Sequence, residues 1–253
     1  MATSPILVAS RAFALALVGV GCMGFSGLEA PAWVRNALSL GRQDELHAAP
    51  PVARFSDDEG GGFILDRGHH PALLKFDDSA EIWVVSASRG PRGDVLFKDD
   101  IGEILLRVTK VGGVTAFTTR WPMGVAASLD GASSPLRMSP IGVQGLYERL
   151  VAASGRCTRA AHHLVAFEAP DVDDKSAAPI ADAILSAMDG IIRIAGRPSG
   201  HAPLSRLVKV SFFAGPAPAA WWRNGALIVL INPNDGLAGH PSSARVAQVL
   251  EGP

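Results

Sequence analysis

The densest set of side chains able to do chemistry is Arg89, Arg92, Asp94, Lys98, Asp99, Asp100 and Glu103. Carboxylates beside arginines can carry out acid–base work or hold a charged ligand. Asp94, Asp99, Asp100 and Glu103 are therefore the candidate catalytic groups, and Arg89 and Arg92 the candidate binding groups. The same residue types have a plainer use at turns, where exposed ion pairs contribute about 0–1 kcal/mol each. The plainer use is the expectation here. Asp99-Asp100-Ile101-Gly102 places acids and a late glycine where a tight turn needs them, and Gly90, Pro91 and Gly93 shape the preceding connection. On that reading Asp99 keeps an ordinary pKa. Arg92-Gly93-Asp94 spells an adhesion tripeptide, but three residues recur by chance and carry no weight.

Other chemistry-bearing residues are sparser. Trp221 and Trp222 are candidate binding residues, because an outward ring can stack on a sugar or a partner. His69-His70 and His162-His163 could each lend one metal ligand, yet zinc needs three or four that converge. Asp171–Asp182 loosely echoes a calcium loop, with Lys175 at a ligand position and Ser176 in place of the turn glycine. Asp57-Asp58-Glu59 is a solvated acidic run before three glycines. Cys157 reads as a small residue near a helix end. Phosphate-loop, H-E-x-x-H, C-x-x-C, G-x-S-x-G and S-x-x-K motifs are missing. No cofactor and no metal is expected. A net charge of −1 over 253 residues gives no basic face for nucleic acid.

These residues must be positioned by elements that the hydrophobic pattern outlines. From Gly60 to Arg120, short apolar runs alternate with turn residues: FILDR, ALLKF, EIWVVSAS, DVLFK, EILLRVT and VTAFTT are strand-like. With no helical crossovers between them, they form an antiparallel meander. In EILLRVT, Ile104, Leu106 and Val108 share the core face. The second half is mixed. Ser139-Pro140 starts a helix that Gly155 ends, and His162–Ala169 reads as a strand. Ile180, Ile184, Met188, Ile191 and Ala195 mark an amphipathic helix from about residue 177 to 196. LVKVSFFA and ALIVLIN are strands joined by GPAPAAWWRNG, and Ser242 or Ser243 caps a last helix to Leu250. The fold class is α+β: a meander at 60–138, then a helix–strand half at 139–253 packed on it, with a linker at 33–59.

The segments ARFS, GFILDRG, PALLKFDDSAEIW, RGPRGDVLFKDDIGEILLR and GGVTAFT together resemble a family of uncharacterised exported bacterial proteins, classed as a domain of unknown function. The resemblance is strong over roughly residues 50–130 and looser elsewhere. It implies a periplasmic or secreted protein and brings no catalytic residues with it.

The N-terminus agrees on export. Arg11 precedes a 14-residue apolar run, Ala12–Phe25, too short for the ~20 residues of a membrane span. Ala30-Pro31-Ala32 then offers a cleavage site, so residues 1–32 read as a signal peptide. An uncleaved anchor and lipidation at Cys22 are the alternatives. Cleavage would leave Cys157 as the single cysteine, without an internal disulfide.

The expected role is a non-enzymatic envelope module that binds a partner protein or a small ligand through the meander turns. It would touch membrane only through its N-terminal signal or anchor. A hydrolase using the carboxylates named above and a glycan binder using Trp221 or Trp222 are the competitors. A closed pocket with a desolvated carboxylate would favour the enzyme, and a convex solvated cluster the module. Intact mass of protein recovered from the envelope fraction should show a chain beginning near Trp33; a species retaining Met1 in the cytoplasm would contradict export.

Overall fold

A computed structural model describes residues 49–252. The expected signal peptide, Cys22 and most of the expected linker lie outside the described residues. Eight strands follow one another in an antiparallel series: β1 (Val52–Asp57), β2 (Gly62–Asp66), β3 (Ala72–Phe76), β4 (Trp83–Arg89), β5 (Val95–Lys98), β6 (Ile104–Val108), β7 (Val114–Ala116) and β8 (Val125–Ala132). The meander does not stay open. β1 pairs with β8, Ser56 opposite Ser128 and Ala53 opposite Ala132, and the sheet closes into a barrel. Both closing strands escaped the pattern. β1 lies inside the stretch read as linker, and β8 (VAASLDGA) is made mostly of small residues, with Val125 its one buried position and Leu129 exposed.

Inward and outward residues alternate along each strand. Ala53, Phe55, Phe63, Leu65, Leu74, Trp83, Val85, Phe97, Leu106, Val108 and Val114 fill the interior. Phe55 stacks on Phe63 at 4.9 Å between ring centroids, and Phe63 meets Phe76 edge-on at 5.8 Å. The lumen is therefore a side-chain core. Leu106 and Val108 keep the expected inward face, whereas Ile104 turns out to solvent at 39% exposure. A register shift between Phe97 and Lys98 separates it from the rest of its strand.

The β5–β6 turn is built as its composition demands. The Asp99 Oδ1 accepts the amides of Ile101 at 3.1 Å and Glu103 at 2.8 Å, and Gly102 takes φ +88°, a conformation open to glycine. Asp57–Gly61 and Thr109–Gly113 repeat the arrangement, with Asp57 or Thr109 accepting from the amide four residues on.

The second half stacks helices on a small sheet. Its elements are α1 (Val143–Ala161), β9 (Ala166–Glu168), α2 (Ala177–Ala195), α3 (His201–Leu204), β10 (Lys209–Ala214), β11 (Ala219–Arg223), β12 (Ala226–Ile231) and α4 (Ser243–Glu251). The sheet order is β11-β12-β10-β9. β9, β10 and β12 run parallel and β11 is an antiparallel edge. Strands first, then mixed helix and strand, make the chain α+β. Some expected boundaries move. α1 starts at Val143 and runs through Gly155 to a left-handed cap at His162. The strand expected over 162–169 shrinks to three residues, and β11 occupies part of the expected connection GPAPAAWWRNG.

The α2 helix is the axle of this half. Ile180, Ile184 and Ile191 are fully buried, with α1 and α4 against its flanks. Gly190 lets α4 come close: a Cβ there would sit 2.7 Å from the Ser243 carbonyl oxygen. The first turn of α4 also reaches the barrel, since Ala244 belongs to the barrel's own core. Replacing Ile184 with Asp forces a charge into this core. The substitution should cost about 4 kcal/mol or more, read by urea unfolding; an unchanged midpoint would mean that α2 is peripheral.

Candidate functional site

Consecutive turns of an up-and-down barrel alternate between its two ends. The charged cluster that is contiguous in sequence is therefore divided. Arg89, Arg92 and Asp94 belong to the β4–β5 connection at one end; Asp99, Asp100 and Glu103 belong to the β5–β6 turn at the other. At the first end Arg89 and Arg92 are exposed, and Arg92 is left-handed at φ 59°. Asp94 is buried and paired with Arg107, whose Nε donates to it at 2.6 Å. That ion pair, with Asp94 buried and Arg107 half-exposed, occupies the acid of the Arg-Gly-Asp tripeptide. At the second end Asp99 is buried under its own turn. Desolvation raises its pKa above the ordinary value, against the expectation of normal titration. Its Oδ2 has no hydrogen-bond partner among the described residues.

Of the expected residues, Asp100 lines a cavity between the barrel end and the second half. The space measures about 400 Å³. It is lined by Glu81 and Ile82 from the β3–β4 connection, Asp100, Ala219 and Ala220 of β11, and His240, Ser242 and Arg245 around the start of α4. Asp100 straps the β5–β6 turn to α4. Its carboxylate accepts from the Ser242 hydroxyl and from Arg245 Nε at 3.3 Å, and its carbonyl accepts from the Arg245 guanidinium. Ser242 is also the helix cap, accepting from the Arg245 amide at 3.1 Å.

Glu81 is the second strap and the more unusual one. It is 2% exposed, and its Oε1 accepts the Ser243 amide at 2.8 Å. Two carboxylates thus meet the first turn of α4, where unpaired amides and the helix dipole favour negative charge. Burial nevertheless pushes the Glu81 carboxyl up to about 7, partly offset by the Ser243 hydroxyl and amide and by the charge on His240. Its Oε2 finds no hydrogen-bond partner among the described residues.

His240 is held on both sides. Its Nε2 is 2.8 Å from Asp182 Oδ2 on α2, and its Nδ1 is 3.1 Å from the Pro241 carbonyl. Both partners accept, so the ring carries two protons as an imidazolium. Burial lowers its pKa, but the hydrogen bond and charge of Asp182, the Pro241 carbonyl and the charge on Glu81 together raise it. Nearby, Arg193 donates to Ser243 Oγ at 3.2 Å and lies over the Trp83 ring at 5.3 Å.

Glu81, His240, Ser243 and Arg245 were not among the sequence candidates, and Asp182 figured only as the end of the loose calcium-loop echo. Asp182 left a trace, an acid between Ile180 and Ile184 in a helix buried nearly all round. Such an acid needs a partner, but the partner is 58 residues away. Glu81 looked like the polar start of a strand. The remaining sequence candidates stay apart. Lys98 is half-buried at the end of β5. Trp221 is 38% exposed on the edge strand β11, while Trp222 packs against the helix layer. His69 Nδ1 sits 3.2 Å from Asp66, and His163 bonds the carbonyls of Ala161 and Leu207. Asp173 receives the Ser176 amide in a local turn. Among the described residues no three His, Cys, Asp or Glu side chains are grouped to hold a metal ion. Cys157 is fully buried, and burial pushes its thiol up to about 12.

A family model described as a domain of unknown function (DUF4908) matches residues 34–250, and the chain belongs to that family. No curated protein and no solved structure matches the chain.

The raised Glu81 pKa fixes the sign of a pH effect. Between the ordinary 4.5 and about 7 the folded state holds a proton that the unfolded state has released. Stability from this group is full below the lower value and lost as pH rises through the upper one. His240 has the same sign, with its loss above the ordinary 6.5. Unfolding free energy should therefore fall from pH 5 to pH 8, with Glu81 accounting for roughly 3 kcal/mol. Glu81→Gln keeps an acceptor for the Ser243 amide and cannot ionise, so it should flatten the lower part of that fall. Urea unfolding of both chains at pH 5, 6, 7 and 8 reads the difference; parallel curves would show that Glu81 does not titrate there.

Proposed function

We propose that the protein is a non-enzymatic binding module of the cell envelope that takes a small ligand in the cleft between the barrel end and α4. The observation that carries this reading is Glu81 Oε2. It is a buried carboxylate oxygen without a hydrogen-bond partner among the described residues, on a side chain lining a cavity of about 400 Å³. Buried polar atoms are almost always bonded, and an exception in a cavity wall points to a ligand. A desolvated carboxylate in a cavity is the feature expected to favour an enzyme; the module is kept because no free nucleophile or base stands beside Glu81 among the described residues, and its site moves from the outer turns to the cleft.

The groups that catalysis would draw on are already engaged. The Ser242 hydroxyl is spent on Asp100 and the α4 cap, and both His240 nitrogens face acceptors. Neither is set up as an activated nucleophile or a free base. A carboxylate-dependent hydrolase remains the second reading, because a carboxyl pushed up to about 7 is suited to proton transfer near neutrality. Its residues would be Glu81 and Asp100, since Asp94 and Asp99 are buried away from the cavity wall and Glu103 is not part of it. The glycan reading has a weaker support in the single outward ring of Trp221.

Backbone amide shifts recorded during addition of small amines, carboxylic acids and sugars should move at Glu81, Ile82, Asp100, Ala219, Ala220 and Ser243. Shifts confined to Arg89–Asp94, or no shifts, would overturn the cleft as the site. Turnover of a nitrophenyl ester that Glu81→Gln abolishes would instead favour the hydrolase.

A further inference from the structure

Of the two acids that line the cleft, Asp100 has an ion-pair partner among the described residues, whereas Glu81 has none and feels only the favourable charge on His240. Asp100 holds Arg245, and Asp182 holds His240. Asp189 of α2 faces Arg193, whose guanidinium also bonds Ser243. Glu81 is left over, with one oxygen on the Ser243 amide and the other unbonded. Above about pH 7, where Glu81 is ionised, a carboxylate buried in this way calls for a donor that also brings positive charge. Beside it the wall is apolar, made by Ile82, Val84, Pro218, Ala219 and Ala220.

Other ligand classes fit less well. An anion would meet Glu81 and Asp100, and the cationic groups of the cavity wall are already engaged, Arg245 by Asp100 and His240 by Asp182 and the Pro241 carbonyl. A divalent cation takes six or more oxygen ligands, and among the described residues no three acidic or imidazole groups are gathered for one. A sugar hydroxyl would satisfy Oε2 without compensating its charge. We propose, on the premise that the cleft is the ligand site, that the ligand is a small organic ammonium compound: its N–H groups on Glu81, and its short apolar body along Ile82, Val84 and Ala219–Ala220.

Isothermal titration calorimetry of the purified chain at pH 8 with n-butylammonium, butyrate and 1-butanol separates the classes, and amide shifts locate each probe. The same comparison with phenethylammonium, 3-phenylpropionate and 2-phenylethanol covers a larger body. The expected result is that an ammonium probe binds in the cleft at least tenfold more tightly than its carboxylate and alcohol counterparts. Glu81→Gln should remove that preference. Butyrate, 1-butanol or their phenyl counterparts binding the cleft as well as the ammonium would overturn the ligand class and leave the cleft standing. Shifts at none of the cleft amides with any probe would overturn the cleft itself. The probe comparison on the unmodified chain decides the matter even if Glu81→Gln does not fold.

Discussion

The contact on which the arrangement depends is one buried carboxylate on one helix end. Glu81 reaches from the barrel to the first turn of α4 and accepts the Ser243 amide at 2.8 Å. An α-helix leaves its first amides without internal partners, so an acid from another element can meet a need the helix cannot meet itself. Asp100 makes the same kind of contact from the next barrel turn at that end, through Ser242 and Arg245. Each strap takes an acid out of water. The cost is visible in Glu81, whose carboxyl is pushed up to about 7 despite the helix end in front of it.

Everything that brings these two acids to α4 follows from ordinary packing. The barrel sets which turns share an end. The antiparallel pairing of β3, β4, β5 and β6 sets the β3–β4 and β5–β6 connections beside each other at one end. The α2 helix sets where α4 lies, because Gly190 admits the Ser243 carbonyl at a distance no side chain would allow. The α2 helix also supplies Asp182 to His240 and Arg193 to Ser243. A single helix thus fixes the position of α4, holds its preceding histidine and neutralises part of its surroundings. The cleft is what remains between two well-packed bodies joined by buried polar contacts. Such contacts are directional, so they specify one relative placement where apolar surface alone would tolerate several.

The cleft's chemistry is one of restraint. Hydroxyl and imidazole groups that could react are committed to structural hydrogen bonds, and the thiol of Cys157 is sealed in the helix layer. What stays uncommitted is a carboxylate oxygen. An uncommitted buried acceptor next to apolar wall is the feature on which the proposed binding role rests.

The sequence by itself determined the local elements and their class. Period-two apolar runs and Asp/Thr-to-Gly turns gave the strands β2 to β7. The spacing of Ile180, Ile184, Met188 and Ile191 gave α2, and Ser242 gave the α4 cap. These are legible because each rests on residues a few positions apart. Barrel closure was not legible, since β8 is largely exposed, is built mostly of small residues without clear alternation, and is held by pairing with β1, 70 or more residues away. The site was not legible for the same reason. Asp94 and Asp99 are five residues apart in the chain and lie at opposite ends of the barrel. Glu81 and Ser243, 162 residues apart, share a hydrogen bond. Only the tertiary structure decides such pairs, because desolvation and charge partnership depend on distance in space.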